Sequence, residues 1–191
     1  MLSVFASAQT LENLDKIAPF NEGLAAVQKN NQWGFINTDG ELVIDFRSDL
    51  RQSSGNKNYP IFNESRSVIT QQKNGIAYFG FIDQTGATVI EPQYLNATSF
   101  ENGRAIVLKL DKVVAGKNDA LGKNVVYYKY NEVVINTQGQ IVTYLTQEGK
   151  NIVLDRDYLR TPPPITYQQL SPSLFARKNN SDQWSIVKAK N

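Results

Sequence analysis

One phrase occurs three times along this chain, and that recurrence constrains its architecture more than any single residue does. Phe20-Asn-Glu-Gly23-Leu24-Ala-Ala-Val27 returns as Phe62-Asn-Glu-Ser65-Arg-Ser-Val68, and again as Phe100-Glu-Asn-Gly103-Arg-Ala-Ile106-Val107. A second phrase follows each copy. It reads Trp33-Gly34-Phe35-Ile36-Asn37-Thr38-Asp39-Gly40, then Phe79-Gly80-Phe81-Ile82-Asp83-Gln84-Thr85-Gly86, then the eroded Val134-Ile135-Asn136-Thr137-Gln138-Gly139. A repeat of this length is one supersecondary unit that buries its core only against its neighbours. Most of the chain is therefore framework.

Within a unit the local signals are those of a three-stranded meander. Leu24–Gln28 alternates and ends at Asn30-Asn31, residues that tolerate left-handed backbone. Gln32–Asn37 is the strand of the second phrase. Asp39-Gly40 predicts a type I′ hairpin turn, with Glu41–Phe46 returning as the third strand. The second unit closes at Thr85-Gly86 and returns over Ala87–Ile90. Pro92 has no N–H for a ladder and predicts the end of that strand. The inner hairpin of the third unit is longer by more than a dozen residues, with a Gly/Asn-rich tip between Leu108 and Tyr130. Insertions in repeat proteins map to loops, often on the binding face.

The flanks are less regular. Leu11, Leu14 and Ile17 stand three apart, which predicts one or two helical turns or a plain lead-in. After Tyr144, Gly149-Lys150-Asn151 predicts a turn and Ile152–Leu154 a short strand. Thr161-Pro162-Pro163-Pro164 is a stiff connector. A partial fourth copy follows, with Leu170–Arg177 laid on the first phrase, Asn179-Asn180 on Asn30-Asn31, and Gln183-Trp184 on Gln32-Trp33. A copy without its third strand suits a terminal cap. Residues 1–16 are a lead-in whose Ala6-Ser7-Ala8 has the small-x-small form of a signal-peptide remnant, so a secreted and a cytoplasmic location stay equally open. Residues 17–191 form one β domain, with units at about 17–58, 59–97 and 98–145 and a partial unit at 165–190.

Composition excludes several chemistries. The chain has no Cys and no His, so disulfides, thiolate metal sites, cysteine nucleophiles and a Ser-His-Asp relay are all ruled out. No metal or other cofactor is implied. A net charge of +2, with Lys and Arg scattered, outlines no stripe for nucleic acid. No run approaches the ~20 apolar residues of a membrane span.

Three constellations merit weighing. Gly116–Asn124 resembles a phosphate loop, but five residues separate its glycines and Asn124 stands where Ser or Thr belongs, so a hairpin tip is the better reading. Asp155 and Asp157 flank Arg156 near Glu148. Paired carboxylates can cleave glycans when one is desolvated, whereas an i, i+2 acidic pair is usually a solvated edge. Tyr128 and Tyr130 share a strand face on the long hairpin, and with Lys117, Asn118 and Lys123 at its tip they are candidate partner contacts. The plain alternative is that the hairpin buries its tyrosines on its own sheet.

The two phrases, with Val89-Ile90-Glu91-Pro92-Gln93-Tyr94 as a third, resemble the WG-repeat family, a bacterial β-rich module with the pattern F-x-E-G-L-A-x-V, W-G-F/Y-I-D/N-x-x-G, V-I-x-P-x-Y. The resemblance is good over residues 17–145 and loose over 166–190. It departs at Glu132-Val133, where Trp-Gly is expected. It implies a scaffold, and a scaffold does not give a reaction. The repeated positions read as core: Phe20, Phe62, Phe100, Trp33, Phe79 and Trp184 as large buried rings. Gly34 and Gly80 read as close-packing sites, and Gly40 and Gly86 as turn residues. The expected fold is all-β: three meander units plus a partial fourth in a short array or curled sheet, with a four-bladed propeller as the alternative. The expected function is a non-catalytic binding or scaffold module that recognises a protein through its loops and the 108–130 hairpin. A cell-wall or other glycan is a second partner class, and a carboxylate-dependent glycan-active enzyme is the alternative.

Overall fold

The computed structural model describes residues 11–53, 57–118, 123–179 and 181–189. No helix occurs among them, and the strands form antiparallel sheets of four, seven and three strands with no closed barrel or propeller.

The first sheet holds β1 (Lys16–Ile17), β2 (Ala25–Lys29), β3 (Gln32–Ile36) and β4 (Leu42–Arg47) in chain order. The second holds β5 (Ser67–Lys73), β6 (Ile76–Ile82), β7 (Thr88–Ala97), β8 (Arg104–Asn118), β9 (Lys123–Asn136) and β10 (Ile141–Tyr144) as a meander. Beside it, β11 (Lys150–Ile152) pairs with β9. The third holds β12 (Tyr167–Gln169), β13 (Leu174–Lys178) and β14 (Trp184–Lys188). A bridge from Leu50 to Ile69 joins the first two sheets. Here the tail of each unit's third strand pairs with the first strand of the next. Leu50 does this for the second unit, and Ala97, opposite Val107, for the third.

Several local expectations are corrected. The 11–17 spacing gives the edge strand Lys16–Ile17 rather than a helical turn, because β2 offers it a ladder: Asp15 N–H donates to Gln28 O and Ala18 N–H to Ala26 O. Lys150–Ile152 is a strand rather than a turn, since the long β9 leaves an edge to pair. Pro92 does not end β7. Phe79 faces Tyr94 while Phe81 faces Ile90, so β7 bulges between them and proline sits where no ladder donor is needed. Gly80 makes that bulge possible, for a Cβ there would lie 2.4 Å from Ile90 O and 2.7 Å from Pro92 N. Gly34 meets Ile44 O in the same way at 2.8 Å. Close packing over both glycines is therefore the rule of the repeat.

The turns sort into kinds. Asn30-Asn31 and Asn74-Gly75 are tight turns with positive φ at both positions. Asp39-Gly40 is not. Asn37 spans to Gly40, whose N–H donates to Asn37 O, and only Gly40 is left-handed; this is a type I turn closed by a left-handed residue. Asn37 Oδ1 also accepts from Asp39 N–H and Glu41 N–H. The same cap recurs at Asp83, Asn136 and Asn179. In the last copy it joins β13 to β14, so Asn179 matches Asn37 in its turn chemistry and not Asn30.

Successive units lock together in a repeated way. The Phe62 ring packs edge-on to Phe35 with centroids 4.8 Å apart, and Phe100 sits 4.8 Å from Phe81. Beside each aromatic pair, the glutamate of one unit's first phrase caps the turn of the next. Glu22 accepts from Glu64 N–H at 2.6 Å and Ser65 N–H at 2.8 Å, and Glu64 accepts from Gly103 N–H at 2.6 Å. Arg47, in a two-pronged ion pair with Asp49, also donates to Gly86 O at 2.9 Å across the first junction.

Two residues expected in the core stand outside it. Phe20 is 52% exposed, with no ring among the described residues packed on it as Phe35 and Phe81 pack on its counterparts. Trp184 is 55% exposed because β14 is an edge. Trp33 is central, between β2 and β4, whereas no third strand of the fourth unit covers its tryptophan among the described residues. Trp33, Phe62, Phe79 and Phe100 are buried.

Candidate functional site

The long hairpin is clamped at its base and free beyond. Its register runs from Arg104 opposite Asn136 to Asn118 opposite Lys123. β11 lies along Tyr128–Tyr130 on the outer edge, with Lys150 opposite Tyr130 and Ile152 opposite Tyr128. That strand closes Tyr130 into a core cluster with Ile76, Leu95, Leu108 and Leu159. Tyr130 is therefore a buried residue and not an exposed contact. Burial pushes its hydroxyl pKa up, and the nearby Glu132 adds to the rise. Tyr128 is half-buried. The side chains of Lys117, Asn118 and Lys123 lie outside the described part of the structure, although their backbone closes the register towards the tip.

The outer hairpin exposes apolar side chains beside the polar Lys112 and Asn124. Val114, Val125, Val126 and Tyr127 are all exposed, and Tyr127 is paired across the ladder with the half-buried Val113. Val125 and Tyr127 share one face, while Val126 lies on the other opposite Val114. Isolated exposed apolar residues are ordinary; a cluster on both faces of a projecting hairpin is not. The sequence signal for it was the unbroken Val-Val-Tyr-Tyr run, which no one-sided strand needs.

A second concavity, about 820 Å³ in volume, lies between the first two units. Trp33 and Phe79, which open the two second phrases, line it beside their cross-strand neighbours Gln28 and Thr70. The Arg51 guanidinium lies 5.8 Å from the centre of the Phe79 ring, and Asn31, Asn58 and Asn96 add amides. None of its described lining residues is acidic; Arg51 and Lys57 are the charged ones. Trp33 and Gln28 are buried, yet neither the indole N–H nor the Gln28 side-chain NH₂ donates to a partner among the described residues, and neither is sealed from solvent. Nothing in the one-dimensional pattern marks this cleft, because Gln28, Arg51 and Asn96 meet only when units stack.

The third unit replaces this arrangement with a lock. Glu132 occupies the Trp33 position, opposite Leu108, and is 1% exposed. Its carboxylate accepts from Thr166 N–H at 2.9 Å, Thr166 Oγ1–H at 2.5 Å and Tyr167 N–H at 3.2 Å. The departure from Trp-Gly thus serves to dock β12 and the partial fourth unit. Val133 at the glycine position is tolerated because β10 pairs closely here, Tyr144 opposite Val133, without the bulge that Gly80 accommodates.

The remaining acidic candidates are solvated. Asp155 and Asp157 are exposed; Asp155 accepts from the Asp157 N–H, and Asp157 pairs with the exposed Arg160. No group of three or more acidic residues that could hold a metal ion occurs among the described residues. No helix among them is long and apolar enough to cross a membrane.

The family model described as the WG containing repeat matches residues 13–33, 33–49 and 79–112. No curated protein and no solved structure matches the chain. The first two stretches cover the first unit. The third covers the second phrase of the second unit and runs into the third, the same positions that form the stacked meanders. The recurring phrases, the bulge glycines and these matches identify WG-family repeats in this chain over residues 13–49 and 79–112.

Proposed function

We propose that the protein is a non-catalytic binding module in which stacked repeats hold out the 108–130 hairpin to a protein partner. The observation that carries this is the cluster of exposed apolar residues, Val114, Val125, Val126 and Tyr127, beyond the point where β11 stops covering β9. Aromatic and β-branched side chains presented by a two-stranded ribbon are anchors that a protein groove desolvates efficiently. The test is a paired capture from lysate and envelope fractions. The intact chain is compared with a chain carrying Val125→Thr, Val126→Thr and Tyr127→Ser, of which the two threonines keep β propensity. A partner held by the first bait and lost by the second is the expected outcome. Equal capture by both removes the hairpin from the reading.

A second reading rests on the cleft between units one and two. Its amides, its free indole and Gln28 donors and the absence of acidic described lining residues favour a polyhydroxylated ligand, which ties it to the glycan class of partner. Binding on a glycan array that is lost with Asn58→Ala or Arg51→Ala supports it, and an array with no signal removes it. A carboxylate-dependent hydrolase draws no comparable support, since no carboxylate pair converges on this cleft.

A further inference from the structure

The junction between units is made twice inside the molecule with the same chemistry. A ring of the earlier unit, Phe35 or Phe81, packs on the phenylalanine of the later unit's first phrase, Phe62 or Phe100. A carboxylate of the earlier unit, Glu22 or Glu64, binds N–H groups of the later unit's turn. Each turn holds two consecutive left-handed residues, Glu64-Ser65 and Asn102-Gly103, which aim adjacent N–H groups outward as an anion-binding nest. The result is a dry ring-on-ring contact rimmed by a charge-assisted hydrogen bond.

The first unit carries the receiving half of this junction with nothing in it among the described residues. Glu22 and Gly23 form the same left-handed pair, at φ 50° and 79°, and their N–H groups have no partner among the described residues. Phe20 is 52% exposed where Phe62 and Phe100 are 1% and 2%. Ile17, in the edge strand β1 three residues earlier in the chain, is exposed as well. An apolar ring next to an unfilled nest is what Phe62 and Glu64–Ser65 become once unit one is taken away.

We propose that this leading face docks a repeat-type β unit of a partner polypeptide, one that brings a carboxylate to the Glu22–Gly23 turn and an aromatic ring to Phe20. The occupant's chemistry follows from the two filled copies. A second copy of this chain does not supply it. The glutamate position of its third unit is Asn102 and the ring position is Val134, and that end is taken by the fourth unit through Glu132 and the Arg104 bond to Pro172 O. Residues 1–10 contain no Asp or Glu and so bring no side-chain carboxylate. The proposal is independent of the hairpin.

The test inserts a duplicate of residues 17–58 between Lys16 and Ile17. This reproduces the natural spacing from residue 58 to the next phenylalanine. Hydrogen exchange of the original Glu22 and Gly23 amides is then followed by NMR. The expected result is slowing by about tenfold or more over the wild-type chain. The effect should fall away when the duplicate carries Glu22→Ala, an exposed position that leaves the duplicate's own core intact. Unprotected amides, or a duplicate that stays unstructured while the rest keeps its spectrum, overturn the proposal. So does a concentration-dependent dimer of the wild-type chain that Phe20→Ser dissolves, which would make a second copy the occupant. So does faster exchange of these two amides on deleting residues 1–10, which would make the chain its own occupant.

Discussion

Single atoms at Gly80 and Asp83 carry much of what the repeat specifies. At Gly80 a methyl group would have to displace Ile90 O, Pro92 N and Glu91 C, all within 3 Å and all backbone. Gly80→Ala should therefore cost about 3 kcal/mol or more in urea unfolding, at the upper end for overpacking a tight core. Gly103→Ala meets no neighbour within 4 Å and should cost only the left-handed strain, about 1 kcal/mol. Asp83 makes a separate case. Its carboxylate accepts from Thr85 Oγ1–H at 2.6 Å and from the Thr85 and Ala87 N–H groups, which holds its pKa below the ordinary aspartate range. A folded-state pKa below the unfolded one adds stability above about pH 4, and that stability is lost as pH falls through the lowered value. The other copies of this turn use Asn37, Asn136 and Asn179, which accept the same N–H bonds without titrating. Asp83→Asn should leave neutral-pH stability within about 0.5 kcal/mol and flatten the acid limb of the denaturation profile. An unchanged acid limb would place that titration elsewhere.

Between elements, the departures from the repeat are where something is attached. The third unit gives up Trp for Glu132 because its neighbour presents backbone N–H groups of β12 rather than a ring. Glu132→Ala leaves those donors buried and unpaired, at a cost of about 1–3 kcal/mol. The fourth unit should come loose first, so chymotrypsin should cut at Tyr167 and Phe175 while β5–β10 stays protected. Cleavage spread evenly over both sheets would show that Glu132 is not the lock. The hairpin shows the same logic in reverse. Its base is held by β11 and Val125, Val126 and Tyr127 are exposed, so the Val125→Thr, Val126→Thr and Tyr127→Ser exchange should shift Tm by no more than about 2 °C. A large Tm loss would mean that those side chains serve the fold.

Over the whole molecule, stability resides in junctions as much as in units. The two core clusters at the junctions of the first three units combine one unit's strands with the next unit's phenylalanine: Phe62 closes the cluster of Trp33, Phe35 and Ile44, and Phe100 that of Phe79, Phe81 and Ile90. Arrays of this kind couple nearest neighbours. Phe62→Ala should cost about 3–5 kcal/mol and split unfolding into two transitions, whereas Phe20→Ala, chemically the same change at a half-exposed ring, should cost under about 1 kcal/mol. Equal costs would mean that the first unit's face is filled in solution.

The sequence by itself determined the class of fold, the number of units and the close approaches at Gly34 and Gly80, because those depend on local periodicity and on residues that alone fit a backbone contact. It also marked the long hairpin as the departure worth examining. It misplaced Phe20 and Trp184, which carry the same residue type as their buried counterparts and differ only in lacking a neighbour. It misplaced Tyr130 for the complementary reason: β11, distant in sequence, covers it. The role of Glu22 and Glu64 was present as a repeated letter but had no meaning until the turn it caps, some forty residues on, came within 3 Å. Only the tertiary structure decided which copies of a motif are inside and which face is left open, because burial belongs to the junction between units and not to the unit.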